Sequence, residues 1–371
     1  EFLPEDDAIA ERNAPSVFLT RPELSVLISY VKAGLKEDLA NSDVPEDAYV
    51  ASIVEAAFPP LLRKKFKKQI YSHRLKREII ATQVANDMVD NMGISFCHRL
   101  VESTGSSVAH VAKAYIAARD IFEFDFSWRQ IRALDHKIPA KLQIEMMSAV
   151  MRRVRRATRW LLRNRRNRIN PAAEVEFFAA SISKAFELLP KYLQCGSKEA
   201  WQQRYESLLG QGVGEEFARR ASVPINIYSG LSVVEAARES GASVELVLEV
   251  YIGFSEMLGL NVFSTQIADL SVDNYWQAMA RETYIDDLEC QIRTLVVSLI
   301  SLMSDGQSVS KGLELWCKQH SVLLDRWYVM IADLKSAASA DYAMFSVALR
   351  ELLDLAQASQ HCTSFDHCEV I

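Results

Sequence analysis

The chain has 371 residues, 49% apolar and 24% charged, with only 13 Gly and 10 Pro. This composition excludes disorder and collagen, and so few turn-formers exclude a fold built from many short strands and hairpins. The net charge is -6, and the six cysteines lack C-x-x-C spacing, a pattern expected of reduced thiols in a cytoplasmic protein rather than a disulfide framework. The longest apolar run, Leu295 to Met303, is about half the ~18 residues of a membrane span. The acidic start (Glu1, Glu5, Asp6, Asp7, Glu11) does not read as a secretory signal, and the opening Glu1 in place of Met suits a piece of a longer polypeptide.

Along the chain, Thr20-Arg21-Pro22-Glu23 is a capping box with proline in the first turn, followed by a stripe of Leu24, Leu27, Ile28, Val31 and Leu35. A helix is predicted from about residue 21. Asp43-Val44-Pro45-Glu46 predicts a short capped helix ended by Phe58-Pro59-Pro60, then one long helix from Pro60 to about Asn91, stopped near Gly93. Breakers follow at Gly105, Pro139, Asn170-Pro171, Pro190, Gly196, residues 210–214, Pro224, Gly241, Asp305-Gly306 and residues 336–341, with helices between nearly all of them. The expected fold is all-α.

The charge is segregated. Residues 60–77 carry eight Lys or Arg and no acid, residues 141–168 carry ten bases against one acid, and the remainder sums to about -23. In the second segment Ile144, Met147, Met151, Val154 and Leu161 form an apolar helical stripe, with arginines running beside it at the same period. Arg152, Arg155, Arg156, Arg159, Arg163 and Arg166 are the candidate anion or subunit contact. Guanidinium forks suit phosphate, but the acid-rich remainder and a pI of 5.8 favour structural pairing over a nucleic-acid footprint. The alternative is a free-standing helical scaffold that binds nucleic acid or another anionic partner through Arg152 to Arg168.

Residues 104–134 match residues 240–270 at nine of 31 positions, among them Gly105/Gly241, Ser107/Ser243, Tyr115/Tyr251 and Ile131/Ile267. Such agreement predicts two related helical subdomains, residues 1–170 and 171–371, offset by about 136 residues, the second ending in a poorly ordered tail.

Gly210-Gln211-Gly212-Val213-Gly214 fails as a dinucleotide fingerprint, because Glu215 stands where the third glycine belongs and a helix, not a strand, is predicted before it. No Rossmann domain, P-loop, H-E-x-x-H or G-x-S-x-G motif is found. His361-Cys362 and His367-Cys368 miss the spacing of a structural zinc site, and His73, His98, His110, His136 and His320 show no ligand pattern. The pairs Trp201/Tyr205 and Trp316/Trp327 with Tyr328 read as packing. No catalytic, cofactor-binding or metal-binding residue is assigned.

Function enters through resemblance. Leu19-Thr-Arg-Pro-Glu-Leu-Ser-Val-Leu-Ile-Ser-Tyr-Val-Lys32, Arg77-Glu-Ile-Ile-Ala-Thr-Gln-Val-Ala-Asn-Asp87 and Ala157-Thr-Arg-Trp-Leu-Leu-Arg-Asn164 resemble runs of the long-chain bacterial NAD-specific glutamate dehydrogenases. So do Val250-Tyr-Ile-Gly-Phe-Ser-Glu-Met-Leu-Gly-Leu260, Trp276-Gln-Ala-Met-Ala-Arg281 and Asp286-Asp-Leu288, and the similarity runs from Glu1 to roughly residue 355. The resemblance implies the helical last part of a much longer subunit. The glutamate- and NAD-binding region of that family precedes it, so no catalytic residue carries over and NAD belongs to the parent enzyme. It further implies a parent that oxidatively deaminates glutamate to 2-oxoglutarate and ammonia. This chain would serve assembly or regulation, with the catalytic region of the same polypeptide as its partner and a homo-oligomer as the parent state; no membrane or nucleic-acid partner is expected.

Overall fold

The computed structural model describes residues 19–166, 168–223, 230–304, 306–336 and 341–365, with backbone alone at 195 and 361–365. Among the described residues every regular element is a helix, so the fold is all-α as expected. Two compact units are present, one of residues 1–120 with 154–175 and one of residues 121–153 with 176–371.

In the first unit, α1 (Arg21–Ala40) starts at the predicted capping box: the Glu23 carboxylate accepts from the Thr20 amide at 2.7 Å, and Thr20 Oγ1 accepts from the Glu23 amide at 3.5 Å. The helix packs on α4 (Lys76–Met92), which Gly93 ends at φ 92°, a conformation glycine adopts without strain. The single long helix predicted over 60–91 is instead α2 (Pro60–Lys65), α3 (Lys67–Tyr71) and α4. Like charges at i,i+4, Arg63/Lys67 and Lys64/Lys68, oppose continuity with no acid inside the segment, Lys67 reaching back to Glu55 at 3.3 Å, and in α2 and α3 only Ile70 is buried. Arg63 turns back to the Phe58 carbonyl at 2.6 Å.

The helix expected after Asp43 is also different, forming two 3-10 segments, Val44–Glu46 and Val50–Ala57. Asp43 does not cap. Its carboxylate meets Lys113 at 2.7 Å, which lowers its pKa, while Asp47 Oδ1 accepts from the amides of Tyr49 and Val50. Two further helices, α5 (Phe96–Thr104) and α6 (Val108–Ile121), complete the hydrophobic packing, with Tyr115 fully buried and edge-on to Phe96 at 5.6 Å.

A polar network runs through this core. Arg119 bridges Asp87 at 2.8 Å and Asp120 at 2.9 Å, Tyr49 donates to Asp120 at 2.7 Å, and Tyr115 donates to Asp87 at 3.1 Å. No local pattern announces it, because its members lie 71 and 28 residues apart.

The remaining helices are α7 (Phe124–Arg132), α8 (Ala140–Arg165), α9 (Pro171–Tyr192), α10 (Cys195–Gly210), α11 (Glu215–Ala221), α12 (Gly230–Ser240), α13 (Val244–Met257), α14 (Leu260–Asp269), α15 (Tyr275–Leu302), α16 (Val309–Gln319), α17 (Ser321–Ser336) and α18 (Tyr342–Phe365). Pro190 does not end α9; it sits in the last turn, where few hydrogen bonds remain to lose. Gly196 likewise lies inside α10. Pro224, Asp305 and most of the 336–341 serine-rich segment fall outside the described residues, as do the side chains of His361, Cys362, His367 and Cys368 in the expected tail.

In the second unit α15 packs along α18 and against α12 and α13. Its aromatic core pairs Phe254 with Trp316 at 4.8 Å and Phe263 with Trp327 at 5.6 Å, and both indoles are satisfied, Trp316 by Ser359 Oγ at 2.6 Å and Trp327 by the Leu258 carbonyl at 3.0 Å. The two similar sequence segments share local geometry: Gly105 and Gly241 both have φ 69°, and Ser107 and Ser243 each accept from the amide three residues on. Glu123 and Gly259 are both left-handed before the next helix. No single helix among the described residues is long and apolar enough to cross a membrane; α13 with α14 passes only as a pair bent by 71°, and much of that pair is core.

Two outcomes are expected. Arg119→Ala strands two partly buried carboxylates and should cost about 3 kcal/mol in denaturant unfolding. His320 is buried against Trp316 with Nε2 lacking a hydrogen-bond partner, and burial lowers its pKa from the ordinary 6.5. The unfolded chain therefore takes up the proton first, and stability falls as the pH drops below about 6.5. His320→Phe should shrink the loss of thermal midpoint between pH 7.5 and 5, and an unchanged loss would contradict this.

Candidate anion or subunit contact

The arginine stripe lies on α8, which is amphipathic as expected: Val154, Ala157, Trp160, Leu161 and Leu162 are buried. Burying that stripe removes neighbouring guanidiniums from water, and the arginines divide accordingly. Arg152, Arg163 and Arg166 are exposed, Arg155 and Arg156 are half-buried, and Arg159 is only 6% exposed.

Arg159 Nη1 donates to Ser103 Oγ at 2.6 Å, and Arg155 Nη2 reaches the Met92 carbonyl at 3.5 Å. Arg165, outside the stripe, donates from Nε to both oxygens of the buried Glu174 at 3.1 Å and lies over the Trp160 ring at 5.4 Å. Arg155, Arg156, Arg159 and Arg163 all have partners. The six candidates therefore share a helix but do not present six open guanidiniums to one anion.

A different arginine stands out. Arg153 falls off the stripe, and its guanidinium packs over Phe186 of α9 at 5.0 Å, donating to the Arg220 carbonyl at 3.4 Å. It has no carboxylate partner among the described residues, and burial beside Arg220 pushes its pKa down to about 10. Phe186 and Arg220 line a cleft of about 380 Å³ between α9 and α11. The sequence carried no signal for this, since Arg153 meets its neighbours across 67 residues.

The Gly210–Gly214 segment is a helix–helix turn, with Gly212 at φ 85°. It does not fit a dinucleotide. A helix precedes it, and Glu215 and Glu216 place two carboxylates at the start of α11, where a pyrophosphate would need positive potential. Among the described residues no three His, Cys, Asp or Glu side chains are grouped to hold a metal, and Cys97, Cys290 and Cys317 are free thiols. Trp201 stacks on Tyr205 at 5.0 Å as a packing pair.

The stripe yields one test. Arg159→Ala should destabilise the chain by about 2 kcal/mol, because a buried charged hydrogen bond is lost, whereas Arg152→Ala on the surface should stay within about 0.5 kcal/mol. Equal effects in thermal or denaturant unfolding would contradict the division.

Residues 17–354 match the family described as Glutamate dehydrogenase, C-terminal. The chain is 45% identical over 361 residues to the NAD-specific glutamate dehydrogenase of Pseudomonas aeruginosa and 38% identical over 359 residues to that of Halomonas elongata. The protein of the same description from Mycobacterium tuberculosis is 29% identical over 359 residues. Each match covers 97% of this chain but spans only 22% of the relative. The sequence resemblance is thereby established: the chain belongs to the glutamate dehydrogenase C-terminal family.

Proposed function

We propose that this chain is the non-catalytic helical region of an NAD-dependent glutamate dehydrogenase whose complete subunit oxidatively deaminates L-glutamate to 2-oxoglutarate and ammonia. The observation that carries the reading is the coverage: nearly the whole chain aligns with proteins described as NAD-specific glutamate dehydrogenases, yet it spans 22% of their length. NAD and the reacting groups then belong to the rest of the subunit, in the cytoplasm.

Within that subunit the region serves assembly or the transmission of regulatory state, docking on the catalytic region and supporting a homo-oligomer. Its surface supports this. Leu61, Leu62, Phe66 and Leu75 are exposed within a stretch rich in lysine, and Trp276 is 77% exposed beside Tyr275. Large apolar groups left in water beside charge of one sign are what an interdomain or intersubunit contact covers. Arg152, Arg163 and Arg166 are further candidates for such a contact. Neither nucleic acid nor a membrane is a partner in this reading.

The chain alone should reduce no NAD with glutamate, and turnover above a heat-inactivated control would overturn the non-catalytic assignment. Light scattering should give a mass above the monomer at high concentration, lowered by Leu61→Asp with Phe66→Asp while the helical content is kept. A strict monomer at every concentration would overturn self-assembly through this region.

A further inference from the structure

We propose that the acidic segment before α1, residues 1–18, runs back along α1 and sets its carboxylates on the lysine-rich surface of α2 and α3. Two unmatched surfaces of the first unit carry the inference. One is the apolar side of α1. Its stripe of Leu24, Leu27, Ile28, Val31 and Leu35 has no fully buried member, Leu24 is 40% and Tyr30 60% exposed, and only Leu39 in the helix is buried. The cause is geometric. Arg77 at the start of α4 donates to the Ala40 carbonyl, and Lys32 pairs with Asp90 near the end of α4 at 2.6 Å, so the two helices run antiparallel and the first turns of α1 extend past their main neighbour.

The other surface is charged. Lys67 pairs with Glu55 and Arg77 with Glu46, whereas Lys64, Lys65, Lys68 and Arg74 are exposed with no carboxylate partner among the described residues. Such a cluster of one sign attracts an anionic segment.

Charge and reach choose the occupant. Residues 1–11 carry Glu1, Glu5, Asp6, Asp7 and Glu11 and no base, and residues 1–18 add Phe2, Leu3, Ile9, Val17 and Phe18. The 20 residues of α1 span about 30 Å, a distance that an extended chain covers in about nine residues. Pro4 and Pro15 favour extended backbone over helix in the residues before them. In this register Val17 and Phe18 meet the apolar side of α1, and Glu1, Glu5, Asp6 and Asp7 arrive at its Ala40 end, where Arg77 is anchored and Arg74 stands close by in the chain. Neutralising the lysines leaves Leu61 and Phe66 open for the self-association proposed above, without repulsion between copies. The contact itself lies within one chain and does not depend on that association.

Carbodiimide coupling, which joins carboxylates to lysines in direct contact, tests this on a mixture of unlabelled and heavy-isotope-labelled full chain read by peptide mass spectrometry. Glu1, Glu5, Asp6 and Asp7 should couple to Lys64, Lys65 and Lys68 in pairs of uniform label, and less so at high salt. Coupling spread evenly over lysines of both units, Lys198 and Lys318 included, would overturn the proposal. Mixed-label pairs would overturn it too, by making a second copy the occupant. Combining Glu5→Gln, Asp6→Asn and Asp7→Asn alters no residue of the described helices and should speed tryptic cleavage after Lys64, Lys65 and Lys68 by about fivefold, the protection expected of a few exposed ion pairs. An unchanged cleavage rate in that variant would contradict the contact.

Discussion

Compensation of the arginines on α8 is the constraint on which much of this chain turns. Ten bases and one acid lie in residues 141–168, yet the same helix must bury Val154, Ala157, Trp160 and Leu161. Desolvating a guanidinium without a partner costs more than the neighbouring apolar burial returns, so each arginine near the stripe needs a local solution. Arg159 finds the Ser103 hydroxyl, Arg155 the Met92 carbonyl at the end of α4, and Arg165 the Glu174 carboxylate with the Trp160 face. These solutions fix the helices that supply the partners. They also explain why a stripe that looks like a phosphate footprint in the sequence is largely consumed internally.

The same logic organises the other polar groups in the cores. The first unit holds Arg119 between two aspartates with two tyrosines donating to them, and the second satisfies both tryptophan indoles through Ser359 and the Leu258 carbonyl. Networks of this kind select one arrangement of helices among the many that apolar stripes alone would permit. The chain belongs to the glutamate dehydrogenase C-terminal family and covers 22% of the length of relatives described as NAD-specific glutamate dehydrogenases.

Much of the fold was legible because it rests on local chemistry. The Thr20 capping box, the Gly93, Gly105 and Gly241 stops and the helix–helix turn at 210–214 depend on residues within a few positions of one another. The sequence predicts one helix over 60–91 because apolar and helix-forming residues persist through it, while the repulsion of its stacked lysines and arginines is a property of the assembled helix. Pro190 looks like a stop in the sequence, although a proline in a last turn displaces little. At the candidate contact, the amphipathicity of α8 was visible, but not which arginines face inward: Arg159 and Arg152 occupy the same stripe in sequence and opposite environments in the fold. Arg153 was invisible as a special residue, because its partners Phe186 and Arg220 come from distant helices.

The proposed role makes this chain one region of a much larger dehydrogenase subunit. The most direct measurement is an immunoblot of native source-cell lysate with an antibody raised against the chain, read beside an in-gel assay of NAD-dependent glutamate oxidation. A band far above 41.9 kDa that comigrates with the activity is the predicted result. A single band near 42 kDa, separate from the activity, would contradict it and leave a free-standing helical protein.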